Sequence, residues 1–296
     1  MVIRERAAEA VVASVDRAAV EAEARLLRWV ERLAIPRHFV VNARNNAWVR
    51  DVLAEAFERL GLDVHLQGRY GNVVALPRSA KGRTVTFVAA HYDSVPDCPG
   101  ADDNASGLAV MLECARALAL RGAGEGVGFL AFNAEEDGFL GSGDFVTQGV
   151  PALPCGLGTT HVLEMVGFRE RSGVAQQLPL PWVPKGLRSP DFLGLLAKGR
   201  SNGAVDRALG SDAAAGLRLM GAKTWGPLYR LLPDLARSDH VPFWLADRPA
   251  VLWTDTANFR NPHYHRATDT PDTLDSSFMR EVSELLVAVV TAESAA

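Results

Sequence analysis

Short apolar runs alternate with stretches of helical spacing along most of the chain. Val64 to Leu66, Asn72 to Leu76, Thr84 to Ala90, Gly126 to Phe132, His161 to Val166 and Ala250 to Trp253 read as strands. The run over 85–90 is short, mostly apolar and partly β-branched and reads as a buried strand, and 161–166 is another. Gly68 and Gly71 separate the first two strands, which suits a hairpin at the edge of a sheet. Helical spacing covers Ala7 to Leu33 before Pro36, Asn45 to Leu60 before Gly61, Ala105 to Leu120, and Ser276 to Ala292. Phe192 to Ala197 and Ala204 to Leu217 also read as helices, and Arg218 to Met220 leads into a further strand. Shorter helices are expected near Asp144 to Thr147 and from Arg237 through Trp244, the latter with Ser238 or Asp239 as cap. Alternation of this kind belongs to an α/β fold.

A length of 296 residues suggests two domains on a simple count, yet single α/β domains of this size are ordinary. Hydrophobic residues make up 48% of the chain, ample for one core. The formal charge of −4 gives no electrostatic reason to expect nucleic acid or an anionic membrane as partner, and no spanning apolar run is seen. The first residues, Met1 to Arg6, lead into an Ala-rich stretch broken by Glu9, Asp16 and Glu21, unlike a secretory signal. Cys98, Cys114 and Cys155 are odd in number and lack metal-site spacing, so reduced thiols and a cytoplasmic location are expected.

Residues 1–24 are expected to be a helical extension and residues 25–296 a single domain. The extension either packs on the domain or on a second subunit, leaving a homodimer open, or is a frayed end. The segment from Arg169 to Ser189, with Leu178-Pro179-Leu180-Pro181-Trp182, reads as a long loop that is either a lid or a passive connection.

Chemistry-bearing residues gather where strands end. His91-Tyr92-Asp93-Ser94 follows the 84–90 strand, and Gly100 to Gly107, with Asp102-Asp103-Asn104, precedes a helix whose amino end can help hold negative charge. Glu135-Glu136 follows the 126–132 strand, Glu164 lies inside an apolar strand, and His263 and His265 come late in the chain. Open α/β sheets bind ligands at the carboxyl ends of their strands. A carboxylate in a run as apolar as 162–166 costs several kcal/mol unless it is paired or bound to metal. Imidazoles and carboxylates converging from separate strands suit zinc. Spacing alone does not choose between His263 and His265.

With these segments, Leu163-Glu164-Met165, Ser238-Asp239-His240, and Tyr264-His265 with Asp269-Thr270, residues 25 to 290 resemble the aminopeptidase Y/aminopeptidase S family of co-catalytic di-zinc exopeptidases. Its superfamily also holds glutamate carboxypeptidases and glutaminyl cyclases. The resemblance implies a three-layer α/β/α sandwich with a central mixed, mostly parallel sheet. It implies two zinc ions per chain held by His91, Asp102, Glu136, Glu164 and His265, with Asp102 bridging. Glu135 then matches the general base, Tyr264 the residue supporting the oxyanion, Asp93 the partner of His91, and Asp239 a further support behind the ligands. Glu164 stands where familiar members carry Asp.

The implied activity is release of an N-terminal residue from a short peptide, with zinc lowering the pKa of the attacking water. Three rivals stay open. A glutaminyl cyclase-like acyltransferase keeps most of these ligands, although Asp102-Asp103-Asn104 resembles the peptidase form. A carboxypeptidase would use Arg237 or Arg260 as a fork for a terminal carboxylate, unless both serve structural ion pairs. A silent metal-bound binding protein is disfavoured by the presence of Glu135 and Asp102. Phe139, Trp182 and Phe259 line either an apolar pocket or the core, and His240 either faces the metals or orients its helix. Cys98 reads as a loop thiol.

Overall fold

The computed structural model describes residues 1–9, 16–177, 185–226 and 232–295. The expected lid sequence 178–182, including Trp182, lies outside the described residues. Nine strands are seen among the described residues: β1 (Val2–Arg6), β2 (Asp63–Gln67), β3 (Asn72–Leu76), β4 (Thr84–His91), β5 (Val127–Phe132), β6 (Gly156–Glu164), β7 (Phe192–Lys198), β8 (Arg218–Thr224) and β9 (Ala250–Thr254). They form one sheet in the order β1-β8-β7-β9-β6-β4-β5-β3-β2. β9, β6, β4 and β5 run parallel to one another, so their carboxyl ends share one edge. β2 and β3 make the expected edge hairpin, and β7 enters antiparallel to β9.

The helices are α1 (Arg17–Leu33), α2 (Ala43–Arg59), α3 (Gly107–Arg121), α4 (Leu140–Asp144), α5 (Val150–Ala152), α6 (Asn202–Leu209), α7 (His240–Leu245) and α8 (Ser276–Ser294). α1, α2, α3, α6 and α8 cover one face of the sheet, and the short α4, α5 and α7 cover the other. The result is a three-layer α/β/α sandwich. β4 shows why its sequence is apolar without alternation: Val88 and Ala90 point into the first layer while Val85, Phe87 and Ala89 point into the second. On the thinner side Phe132, Phe145 and Phe243 meet with ring centroids 5.6 to 6.3 Å apart.

α1 begins with the Asp16 carboxylate accepting from Ala18 N–H and buries Leu26, Val30 and Leu33, spaced four and three apart, against α3 and α8. The expected boundary between residues 24 and 25 therefore falls inside a helix. At the very start the structure differs from the helical expectation, because Val2–Arg6 is a strand paired antiparallel with β8. Phe192–Lys198 is likewise a strand and not a helix. Its run Phe-Leu-Gly-Leu-Leu-Ala is buried on both faces between β8 and β9, and periodicity cannot separate such a strand from a buried helix.

Gly128 faces Phe87 across the β4–β5 pairing, and a Cβ there would lie 2.6 Å from the Phe87 ring. Both are enclosed, so Gly128→Ala should destabilise the fold by about 1–3 kcal/mol through overpacking, read as a lower denaturation midpoint at unchanged slope.

Candidate metal centre

The parallel edge delivers each candidate donor by a separate route. His91 is the last residue of β4 and Glu164 the last of β6, while Glu135 and Glu136 lie just past β5 and His265 follows β9 in a long loop. Between β4 and α3 the irregular turn Ala101–Ser106 carries Asp102 and Asp103. Several residues around these donors hold left-handed φ values without being glycine: Ala134 at 55°, Met165 at 48° and His265 at 57°. Each costs on the order of 1–2 kcal/mol, and such strain persists where surrounding structure holds side chains in a demanding geometry.

Two clusters result, and they share one residue. His91 Nε2 lies 3.2 Å from Asp103 Oδ1 and 3.4 Å from Glu164 Oε2. His265 Nε2 lies 3.2 Å from Asp103 Oδ2 and 3.1 Å from Glu136 Oε2. Asp103 thus offers one oxygen to each cluster, and the two triads are His91, Asp103, Glu164 and Asp103, Glu136, His265. The sequence expectation of Asp102 in the shared position is corrected here. Asp102 is turned away: its Oδ1 accepts from Gly167 N–H at 2.9 Å and its Oδ2 from Asn261 Nδ2 at 2.7 Å. Asp103 and Asn104 have non-helical backbone angles within the turn, which sends two neighbouring carboxylates in different directions. No simple spacing rule separates such a pair.

The remaining predicted residues surround the clusters. Asp93 accepts from Glu135 N–H at 3.1 Å and Glu136 N–H at 3.2 Å, and its Oδ1 faces His91 Nδ1 at 3.4 Å. Glu135 is buried beside His91, Glu164 and Glu136. The Tyr264 ring stacks on that of His265 with centroids 3.8 Å apart. Asp239 is buried and accepts from Ser142 Oγ, so it does not cap α7. His240 points away, its Nε2 on the Leu235 carbonyl and its ring edge-on to Trp244. His263 bonds Thr268 outside the clusters, and the Cys98 thiol donates to the Arg266 carbonyl.

Sequence reasoning missed three supports. Ser238, expected as a cap, donates to Glu164 Oε2 at 2.7 Å. Asn261 engages Asp102 as described, and both Asp269 oxygens accept backbone N–H groups, from Asp102 at 2.8 Å and Asp103 at 3.1 Å. The signal for Ser238 was its place in the Arg237-Ser238-Asp239 run, but nothing in the chain pairs it with Glu164.

The electrostatics fit cations. Burial and nearby carboxylates push Glu135 well above the ordinary carboxyl range, and burial followed by Asp103 takes Glu136 up to about 7. Burial opposes charge on His265, but its bonds to Asp103 and Glu136 outweigh that and lift it to about 10. His91 Nδ1 and Nε2 lie 3.4 and 3.2 Å from Asp93 and Asp103 without hydrogen-bond geometry, and Glu136 Oε1 is buried without a partner. Imidazole nitrogens and carboxylate oxygens gathered within one triad and then the other are the donor set that zinc takes.

An α/β sandwich whose parallel strand ends build two imidazole–carboxylate clusters around one aspartate has the architecture of a metal-dependent hydrolase. Residues 72–172 match the profile of peptidase family M28. Uncharacterized protein YfbL of Escherichia coli K12 is 31% identical over 265 residues, covering 83% of this chain and 79% of that one. Aminopeptidase YwaD of Bacillus subtilis strain 168 is 30% identical over 224 residues, 74% of this chain but only 44% of that relative. The fold is shared with LapB from Legionella pneumophila at a TM-score of 0.71 and 19% identity, over 96% of this chain and 77% of that one. The chain belongs to peptidase family M28. It spans less than half the length of YwaD.

The geometry gives Asp102 and Asp103 different fates on substitution. Asp103→Asn should lower bound metal at both positions, whereas Asp102→Asn should keep the wild-type stoichiometry with at most about a 100-fold weaker affinity. Elemental analysis after dialysis against graded chelator reads both.

Proposed function

We propose that the chain is a zinc-dependent aminopeptidase holding two zinc ions, one at His91, Asp103 and Glu164 and the other at Asp103, Glu136 and His265. The observation that carries this reading is the placement of the two Asp103 oxygens, 3.2 Å from an imidazole nitrogen of each cluster. Zinc bound there supplies Lewis acidity toward the carbonyl and lowers the pKa of the attacking water. The protein supplies the rest.

Glu135 sits beside both clusters, and its carboxyl is held above the ordinary range by burial, which suits a group that accepts a proton and passes it to the leaving amine. Tyr264, stacked on His265, offers its hydroxyl to the oxygen on which negative charge develops. The carboxylates near the clusters also favour a substrate with a free ammonium end. That is the reason for preferring an aminopeptidase over a carboxypeptidase. Arg237 is bonded through both terminal nitrogens to Asn258 and Tyr264, and Arg260 is buried with Nε on Gln176 and Nη1 on the Phe168 carbonyl, so neither offers two free terminal nitrogens as a carboxylate fork.

Beside Glu164 and Tyr264 opens a cavity of about 450 Å³. Leu195, Leu196, Met220, Ala222 and Leu252 give it apolar walls, and Phe259, one of the aromatic residues singled out in the sequence, joins them. Such a wall supports apolar first residues in short peptides. The unpaired state of Cys98, Cys114 and Cys155 supports a reducing, cytoplasmic location.

Glu135→Gln should keep zinc but lose turnover by at least about 100-fold. On the wild-type protein, leucyl and phenylalanyl p-nitroanilides should exceed aspartyl and lysyl ones by about tenfold or more in kcat/KM, with N-acetylated versions uncut. Unchanged activity in Glu135→Gln, or cleavage of blocked substrates, would contradict the reading.

A further inference from the structure

We infer that Arg237 is a positioning residue that aims the Tyr264 hydroxyl at the reacting carbonyl. The inference rests on the aminopeptidase reading and extends it to a residue outside the metal-binding and proton-transfer set. A phenol has a single hydrogen to donate and can accept on its oxygen, whereas a guanidinium only donates. Arg237 Nη2 donates to Tyr264 Oη at 3.2 Å. The phenolic hydrogen therefore cannot point at Arg237 and is directed away from the guanidinium. Among the described residues no acceptor takes that hydrogen, so it is left for a ligand at the cavity mouth, where Tyr264 and Glu164 lie together.

Arg237 is itself fixed from two directions. Its Nη1 donates to Asn258 Oδ1 at 2.8 Å, and the pair with Asp234 closes at 3.4 Å. The next residue, Ser238, is tied to Glu164, so the backbone carrying the guanidinium is registered to the clusters. His265 stacks against the ring of Tyr264 while the guanidinium carbon lies 5.8 Å from that ring's centroid. The phenol is thus held by an imidazole and a guanidinium. Besides orientation, a positive donor on the oxygen polarises the O–H bond and makes it a stronger donor toward developing negative charge.

The test is a double-mutant cycle on the zinc-loaded protein with leucyl p-nitroanilide, using Arg237→Met, Arg237→Lys, Tyr264→Phe and the double variant Arg237→Met/Tyr264→Phe. Arg237→Met should lower kcat about tenfold with KM changed by less than about twofold, and Arg237→Lys should recover part of the loss. In the Tyr264→Phe background the Arg237→Met change should cost nothing further, because its effect passes through the missing hydroxyl. A full additional loss in the double variant, or a rise in KM at unchanged kcat, would overturn the inference. A crystal structure of Arg237→Met supplies a readout without turnover: the Tyr264 hydroxyl should leave its wild-type position, and a hydroxyl that stays in place would also overturn it. If the wild-type protein cleaves no peptide substrate, the functional reading fails, and the crystallographic arm still decides whether Arg237 positions Tyr264.

Discussion

The constraint on which this structure depends is the crowding of buried carboxylates at the carboxyl edge of four parallel strands. Asp93, Asp102, Asp103, Glu135, Glu164, Asp239, Asp255 and Asp269 are all enclosed there. An isolated buried carboxylate costs several kcal/mol, so each needs a partner or a cation. The fold supplies backbone donors to Asp93 and Asp269, side-chain donors to Asp102 and Glu164, and imidazoles to Asp103. Among the atoms it leaves without a hydrogen bond are His91 Nε2 and Glu136 Oε1 of the two triads, together with Asp239 Oδ2.

That supply of donors explains features remote from the chemistry. Arg37 is fully buried, and its guanidinium donates to the carbonyls of Tyr92 and Gly100 at 2.8 and 2.9 Å, and also to Ile35 and Pro99. The enclosed ends of the 92–100 connection, at Tyr92 and Gly100, would otherwise carry unpaired carbonyls. The same guanidinium places a fixed positive charge behind Asp103, Asp269 and Asp93. His38 adds a latch on the other side, with its Nε2 2.8 Å from Asp137, the residue after Glu136. Helix α2 begins just past that latch, so the amino-terminal part of the chain belongs to the site's support.

Much of this was legible in the chain because long-range requirements left local marks. Central strands had to be apolar on both faces, so β4, β5 and β6 stood out, and polar residues ending them marked the edge where ligands gather. His91, Glu136, Glu164 and His265 fall in the clusters as expected, while His240 and His263 stay outside. Asp103 was not legible, since two adjacent aspartates in an irregular turn differ only in which way the backbone sends them. β7 misled for another reason: a seven-residue run enclosed on both sides has no period to read. β1 escaped because an edge strand of two aliphatic residues followed by three charged ones has no alternation to read and gains its identity only from pairing with β8, more than two hundred positions away.

The central claim is that one aspartate joins two cation sites, and diffraction data collected on either side of the zinc absorption edge from crystals of the zinc-loaded protein test it most directly. The account predicts two anomalous peaks, one beside His91 and Glu164 and one beside Glu136 and His265, with the Asp103 carboxylate between them and Asp102 still on Gly167 and Asn261. A single peak, or Asp102 turned in to replace Asp103, would contradict it.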